Sequence, residues 1–250
     1  LFVLFASMLA WGVWLDRDVV AGMKSILSLS GQSPSDFIAI AGIGPTLFNM
    51  GLSGIVGMAY VLAVGGDLNG PVIGAIFTIV GFAAYGKHPA NFVPIMAGVF
   101  LSSLAKPWGV TDSSILLAAL FGTTLAPIAG RFGWYWGIVA GLVHSSAAQT
   151  VGHLHGGLNL YNNGFVAGIV AAVLVPVIMA LQPDKKPADA APKEGERATE
   201  GDRRLVLPVA AGATAIGGDV MLLARNAAAG IIDAGDAAEG FGRQPPGHQM

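Results

Sequence analysis

Between Phe37 and Leu181 the chain carries only five formal charges, Asp67, Lys87, Lys106, Asp112 and Arg131, and each falls in a short break between long apolar runs. The breaks read "GGDLNGP" at 65 to 71, "GKHP" at 86 to 89, "KPWGVTD" at 106 to 112 and "GRFG" at 130 to 133. A hydrocarbon layer about 30 Å thick is crossed by about 20 mostly apolar residues in a helix, with a range of roughly 17 to 25. The runs here meet or approach that length. With Gly, Pro and charge as punctuation, spans are predicted at 1 to 15, 46 to 65, 70 to 86, 91 to 105, 113 to 129, 132 to 150 and 160 to 181, with a marginal eighth from Val19 to about Leu29. The expected fold is an all-α membrane protein, a polytopic bundle of transmembrane helices.

Composition agrees: 54% of residues are hydrophobic and 11% charged, against roughly 25% charged in soluble domains, and mean hydropathy is +0.65. The charges divide the chain, ten of them in residues 1 to 181 and eighteen in residues 182 to 250. Residues 1 to 181 therefore read as the transmembrane domain. Residues 182 to 250, with "QPDKKPADAAPKEGERATEGDRR" low in aromatics and rich in Pro, Ala and charge, read as a polar, disordered tail. Leu205 to Gly217 is apolar but short and holds Pro208, so no further span is expected there. The opening "LFVLFASMLAWGVWL" lacks a Met, a basic n-region and a small-residue cleavage site, and reads as the remnant of a transmembrane helix in an N-terminally truncated chain rather than a signal peptide. There is no Cys, so neither disulfides nor thiol metal sites arise.

All five Trp lie near predicted span ends, as interfacial anchors do. Counting alternate sides, Lys87, Arg131 and the pair Lys185 and Lys186 share one side against Lys106 on the other. The positive-inside rule then places the tail in the cytoplasm of a cell whose inner membrane holds the chain.

An internal comparison carries more information. "LFNMGL", Leu47 to Leu52, returns as "LYNNGF", Leu160 to Phe165, at an offset of 113 residues, and Gly44 matches Gly157 at the same offset. Both copies run into helices rich in small residues. Five spans separate the end of one copy from the end of the other, and an odd number of crossings inverts the second. Inverted repeats are the construction of many secondary transporters, whose sites form where interrupted helices meet near the midplane. A fainter echo at an offset of 44, "AIF" at 75 with "ALF" at 119 and "GK" at 86 with "GR" at 130, reads as two helical hairpins in tandem.

The stretches "HGGLNLYNNGFVAGIVAA" and "LFNMGLSGIVGMAYVLAVGGDLNGPVIGAIFTIVGFAAYGKHPANFVPIMAGV" resemble the bacterial multi-pass membrane proteins catalogued as domain of unknown function 1576, over about residues 37 to 181. The resemblance implies a bacterial inner-membrane protein with more helices upstream. It implies no activity and no catalytic residue.

Unsatisfied polar groups in hydrocarbon cost several kcal/mol each, so the polar residues within spans mark candidate sites. Asn49, Asn162 and Asn163 stand at predicted helix starts. They serve either as caps for free N–H groups or, beside the positive end of the helix dipole, as the lining of a cavity for a polar or anionic solute. His144, beside Ser145 and Ser146, and Gln149 further along the same helix are candidates for lining a pathway. Gly164 and Gly168, and Gly51, Gly54 and Gly57 on the other copy, form small faces expected to pack helices closely. His153 and His155 form an H-x-H pair with His88 in another loop. A metal site needs three or four ligands with carboxylate or thiolate help, and these His read as loop residues instead, with no metal and no cofactor expected.

No Asp or Glu lies within a span from Phe37 onward, so carboxylate proton relays are missing there. No nucleophile elbow, zinc-protease helix or phosphate-binding loop is present, and Ser145 beside His144 in sequence cannot share a helix face with it. An enzyme is not expected. The reading is a transporter or channel for a small polar solute, with the lipid bilayer as its other partner, no nucleic acid, and homo-oligomerisation left open. The alternatives are a non-transporting membrane subunit or assembly factor, and an intramembrane metal-dependent or hydrolytic enzyme built on the His cluster.

Overall fold

The computed structural model describes residues 1–32, 35–151 and 159–182. His153, His155 and Gly157, with the rest of residues 152–158, and the tail after Gln182 lie outside the described residues. Among the described residues the chain is helical, without a strand: α1 (Phe2–Leu15), α2 (Val19–Leu27), α3 (Phe37–Ala41), α4 (Ile43–Ala63), α5 (Gly70–Phe82), α6 (Pro89–Leu104), α7 (Ser113–Gly122), a single 3₁₀ turn (Thr123–Leu125), α8 (Ala126–Phe132), α9 (Trp134–Val151) and α10 (Asn159–Leu181). Three segments are long and apolar enough to cross a membrane: Ile43–Ala63, Ser113–Phe132 and Leu160–Leu181. The helices Phe2–Leu15, Gly70–Phe82 and Pro89–Leu104 are apolar but shorter.

Each predicted run is helical, and the departures have local causes. The marginal run after Val19 is a helix of nine residues, too short to cross. The run from 113 to 129 is not one helix. Pro127 has no N–H to give the Thr123 carbonyl, which instead receives the Ala126 N–H three residues on, and the α-helix tightens to 3₁₀ there. Helix α3, capped by the Asp36 carboxylate accepting from the Ile38 and Ala39 N–H groups, escapes the sequence reading because it is only five residues long.

Pairwise contacts fix the direction of every long helix. At one end, Asp16 meets Gly44, the Phe37 N–H donates to the Ala84 carbonyl, Gly31 meets Gly86, Ser30 meets Gly130, and Gln182 donates to the Tyr135 hydroxyl. At the other end, Gly66 meets Leu116, the Asn69 amide reaches the Ser113 hydroxyl, Ser114 reaches Gln149, and Lys106 reaches Ser146. Helices α4 and α10 therefore run in opposite directions. The hairpin α5–α6 and the hairpin formed by α7, α8 and α9 lie side by side in the same direction. Asn69 against Ser113, and Gly86 with Gly130 on the same two-residue segment, are pairs 44 residues apart. That is the arrangement expected of hairpins in tandem.

Helices α6 and α7 sit at the middle. One face of the pair, with Ile95, Val99, Ile115 and Ala118, packs toward α8, α9 and α10; the other, with Phe92, Met96, Leu116 and Leu120, packs toward α1, α4 and α5. A helix apolar on all sides belongs in such a place, and Ile115 to Leu120 are buried without interruption. Helices α6 and α9 approach so closely that a Cβ on Gly98 would collide with the Ile138 carbonyl, and one on Gly141 with the Ile95 carbonyl. Further along the same parallel pair, the Ser145 hydroxyl donates to Ser102 at 2.6 Å.

Candidate functional site

The two repeated Asn residues turn out to do the same chemistry at neither of the expected places. Helix α4 begins at Ile43 with Gly42 as its cap residue, so Asn49 lies well inside it and caps nothing of its own. Its Nδ2 donates to the Ala83 carbonyl at 2.7 Å and to the Lys87 carbonyl at 2.8 Å. Asn162, one turn inside α10, donates from Nδ2 to the Ala148 carbonyl at 2.7 Å. Ala83 closes α5 and Ala148 lies in the last turn of α9, where helix carbonyls have no partner of their own. Each repeat thus supplies an amide to the negative end of a neighbouring helix, the reverse of an N-terminal cap. Both side chains are buried, and both Oδ1 atoms are left without a hydrogen-bond partner.

Between them lie buried polar side chains on either side of the interruption at Thr123. The Lys87 ammonium donates to the Thr123 hydroxyl at 2.9 Å, and that hydroxyl donates to the Leu120 carbonyl at 2.6 Å. Next to Thr123, Gly122 leaves room for the His144 ring; a Cβ there would lie 2.8 Å from His144 Cδ2. His144 Nε2 stands 3.0 Å from Asn163 Oδ1, an acceptor, so the ring carries its proton on Nε2 and leaves Nδ1 as a free lone pair. Nδ1 is buried and has no partner. Hydrogen bonds thus join Asn49 to the Lys87 backbone and Lys87 to Thr123 on one side, and His144 to Asn163 on the other; the two groups approach each other at the neighbouring residues Gly122 and Thr123.

Lys87 and Thr123 were not among the residues singled out from the sequence. "GKHP" reads as an exposed loop, whereas Lys87 is 7% exposed, with its Nζ 4.9 Å from the centre of the Phe82 ring. It shares its end of the bundle with Arg131, as the alternate-side count has it, but as a buried cation it no longer counts among exposed loop charges. A buried cation without a carboxylate beside it is costly. None of the described carboxylates, Asp16, Asp18, Asp36, Asp67 and Asp112, is buried with it.

His88 is likewise not an exposed loop residue. It is buried at the N-cap position of α6, where its backbone N–H donates to the Asn91 side chain at 3.0 Å, lies 2.9 Å from the Leu29 carbonyl through Nε2, and stands 6.3 Å ring to ring from Phe37. Gln149 is not at the centre. Its Oε1 accepts from Ser114 at 3.1 Å and ties α9 to the start of α7.

The small faces divide. Gly51 and Gly54 seat α1: added Cβ atoms would lie 2.7 Å from the Phe5 carbonyl and 2.7 Å from the Phe5 ring. A Cβ on Gly57 would meet Ile79 only at an ordinary contact distance of 3.6 Å. Gly164 and Gly168 pack on nothing among the described residues, since no atom lies within 4 Å of a Cβ at either. The close crossing is made instead by Gly98, Gly137 and Gly141, and the spacing Gly137-x-x-x-Gly141 was the available sequence signal. Among the described residues no three His, Asp or Glu side chains gather as a metal-binding group.

A family model described as a protein of unknown function, DUF1576, matches residues 15–180, beginning upstream of the stretch that carries the resemblance in sequence. No curated protein and no solved structure matches the chain.

Proposed function

We propose, from the premise that the chain belongs to the DUF1576 family and receives no activity from that membership, that it is a polytopic membrane transporter or channel for a small polar solute. The observation that carries this reading is the pair of buried polar groups on either side of Gly122 and Thr123, Asn49 with Lys87 and Thr123, and His144 with Asn163. A protein that only filled a membrane would have little use for it, because each unsatisfied polar atom in such surroundings costs free energy. Here Asn49 Oδ1, Asn162 Oδ1 and His144 Nδ1 stay unpaired around one interrupted helix. Interruptions of this kind, at the meeting of repeats, are where transporters hold their solutes. The opposite directions of α4 and α10 support an inverted relation between the two Asn/Gly copies. Residues past Leu181 are placed in the cytoplasm on this reading, with Lys106 facing outward. It has no catalytic step and no cofactor, and a subunit that served only for packing would leave these polar atoms without a use.

The test is uptake of small neutral and charged solutes into proteoliposomes, comparing wild type with His144→Ala and Asn162→Ala. Uptake above protein-free vesicles, reduced at least tenfold in variants that keep the wild-type elution profile, is the expected result. No uptake by wild type across the panel, or equal uptake by the variants, overturns the proposal.

A further inference from the structure

We infer that the joint between α8 and α9 binds the headgroup of an anionic phospholipid, with the Arg131 guanidinium taking its phosphate. This goes beyond the transport reading and does not depend on it; it needs only that the helices stand in a bilayer.

Five Lys and Arg side chains lie among the described residues, and Arg131 is unlike the other four. Arg17 and Lys24 are exposed, where water serves them. Lys87 donates to the Thr123 hydroxyl and Lys106 to the Ser146 hydroxyl. Arg131 is half-buried, no hydrogen bond or ion pair to a described residue holds it, and its Nε is sealed from solvent without a partner. The two Nη groups are not sealed, so the open part of the fork faces the surroundings of the joint. The Phe132 ring, its centre 5.0 Å from the guanidinium carbon, steadies the fork without supplying an acceptor for N–H in its plane.

The protein brings no counter-charge to this place. Asp16 accepts from the Asp18 N–H, and Asp36 from the N–H groups of Ile38 and Ala39. None of the described carboxylates pairs with Arg131. Two neutral acceptors are near: the Ser30 carbonyl lies against Gly130, and Gln182 Oε1 is buried and unpaired on the residue that donates to Tyr135. Neither takes an N–H from Arg131, and neither carries charge.

The joint stands at the boundary of the bilayer. Arg131 is the last residue but one of the span Ser113–Phe132, and the next helix opens with Trp134 and Tyr135, 65% and 40% exposed. Exposed Trp and Tyr at a span end belong at headgroup depth. The acceptors with charge at that depth are lipid phosphates, and a guanidinium fork matches two phosphate oxygens at once. A zwitterionic headgroup would bring its own ammonium to an end of the bundle that already holds Arg131 and the buried Lys87; an anionic one does not. At the opposite end Lys106 is committed to Ser146 and lies over the Trp108 ring, so the demand for an anion falls on one leaflet.

The experiment is native mass spectrometry of the purified full-length protein from micelles holding equal amounts of phosphatidylglycerol and phosphatidylcholine, read as the ratio of the two lipids bound. One cation facing an anionic headgroup gives about a fivefold preference, and wild type is expected to hold phosphatidylglycerol by that factor. Arg131→Gln brings the ratio to parity, Arg131→Lys, which keeps the charge without the fork, gives an intermediate ratio, and Arg17→Gln and Lys24→Gln keep the preference. Excess sodium phosphate leaves the lipid in place. Parity in wild type overturns the inference, as does an undiminished ratio in Arg131→Gln or an equal loss in Arg17→Gln, which would mark diffuse attraction. Displacement of phosphatidylglycerol by inorganic phosphate overturns it too, since the site would then take a free anion. Arg131→Met takes the place of Arg131→Gln if that variant does not fold, and the wild-type ratio and the phosphate competition need no variant.

Discussion

Replacing Asn49 by Leu, which keeps the branched shape though it is bulkier, removes the two donors that hold the Ala83 and Lys87 carbonyls; the cost of the added bulk recurs in the same exchange at Asn162, with which it is compared. Each buried carbonyl left without a donor costs about 1 to 3 kcal/mol, so the gross loss is about 2 to 6 kcal/mol. Part returns because Asn49 Oδ1, buried and already without a partner, is removed as well. The same exchange at Asn162 orphans one carbonyl, that of Ala148, and removes the same kind of unpaired oxygen. Subtracting one from the other leaves a single carbonyl, so Asn49→Leu is expected to cost about 2 kcal/mol more than Asn162→Leu. For a chain of this length that is roughly 4 to 8 °C of unfolding midpoint. Asn49→Asp is far worse, since it sets the carboxylate oxygen that replaces Nδ2 against both carbonyl oxygens and buries a charge, and no folded protein is expected. The assay is thermal unfolding in matched detergent micelles, followed by circular dichroism. If Asn162→Leu proves as costly as Asn49→Leu, or if Asn49→Asp unfolds with a wild-type midpoint, the account of two carbonyls held by one amide is wrong.

Three further expectations are simpler to check. Gly141→Val drives side-chain atoms into the Ile95 carbonyl and should abolish a monodisperse elution peak, whereas Gly164→Ala and Gly168→Ala, which meet no atom within 4 Å, should elute and melt as wild type. Gly122→Ala puts a methyl 2.8 Å from the His144 ring and should displace it from Asn163, seen as a shifted imidazole resonance and at least tenfold slower solute uptake. Single cysteines at Asp18 or Gln182 should react with an impermeant thiol reagent from one face of the membrane, and cysteines at Asp67 or Asp112 from the other. The chain has no Cys of its own to confuse the result, and labelling of all four from one face would refute the helix directions.

Helix positions were legible in the sequence because charge is costly in hydrocarbon and therefore gathers in the breaks; α5, α6, α9 and α10 begin within two residues of their predicted starts. The repeated Asn/Gly motif pointed to chemistry at both copies, and both Asn are buried. The partners of those Asn were not legible, since a carbonyl exposed by the end of another helix leaves no mark on the residue that satisfies it. Lys87 was read as a surface charge for a related reason. Nothing in "GKHP" shows that the segment around Leu29 to Gly31 lies against it, with Gly31 and Gly86 both at positive φ so that their backbones can touch. The interruption at Thr123 did have a signal in Pro127, which cannot continue the hydrogen-bond ladder of the helix before it.

The Ser30–Gly31 segment is held between Gly86, after α5, and Gly130, near the end of α8. It leaves the ribosome before either of the glycines that grip it. The early helices α1 to α4 can therefore form as a loose group, and only when Gly130 has emerged can the clasp shut. A nascent chain halted between Gly86 and Gly130 should have that end of the bundle unlatched and open to protease near Ser30, while one extended through α8 should be protected there.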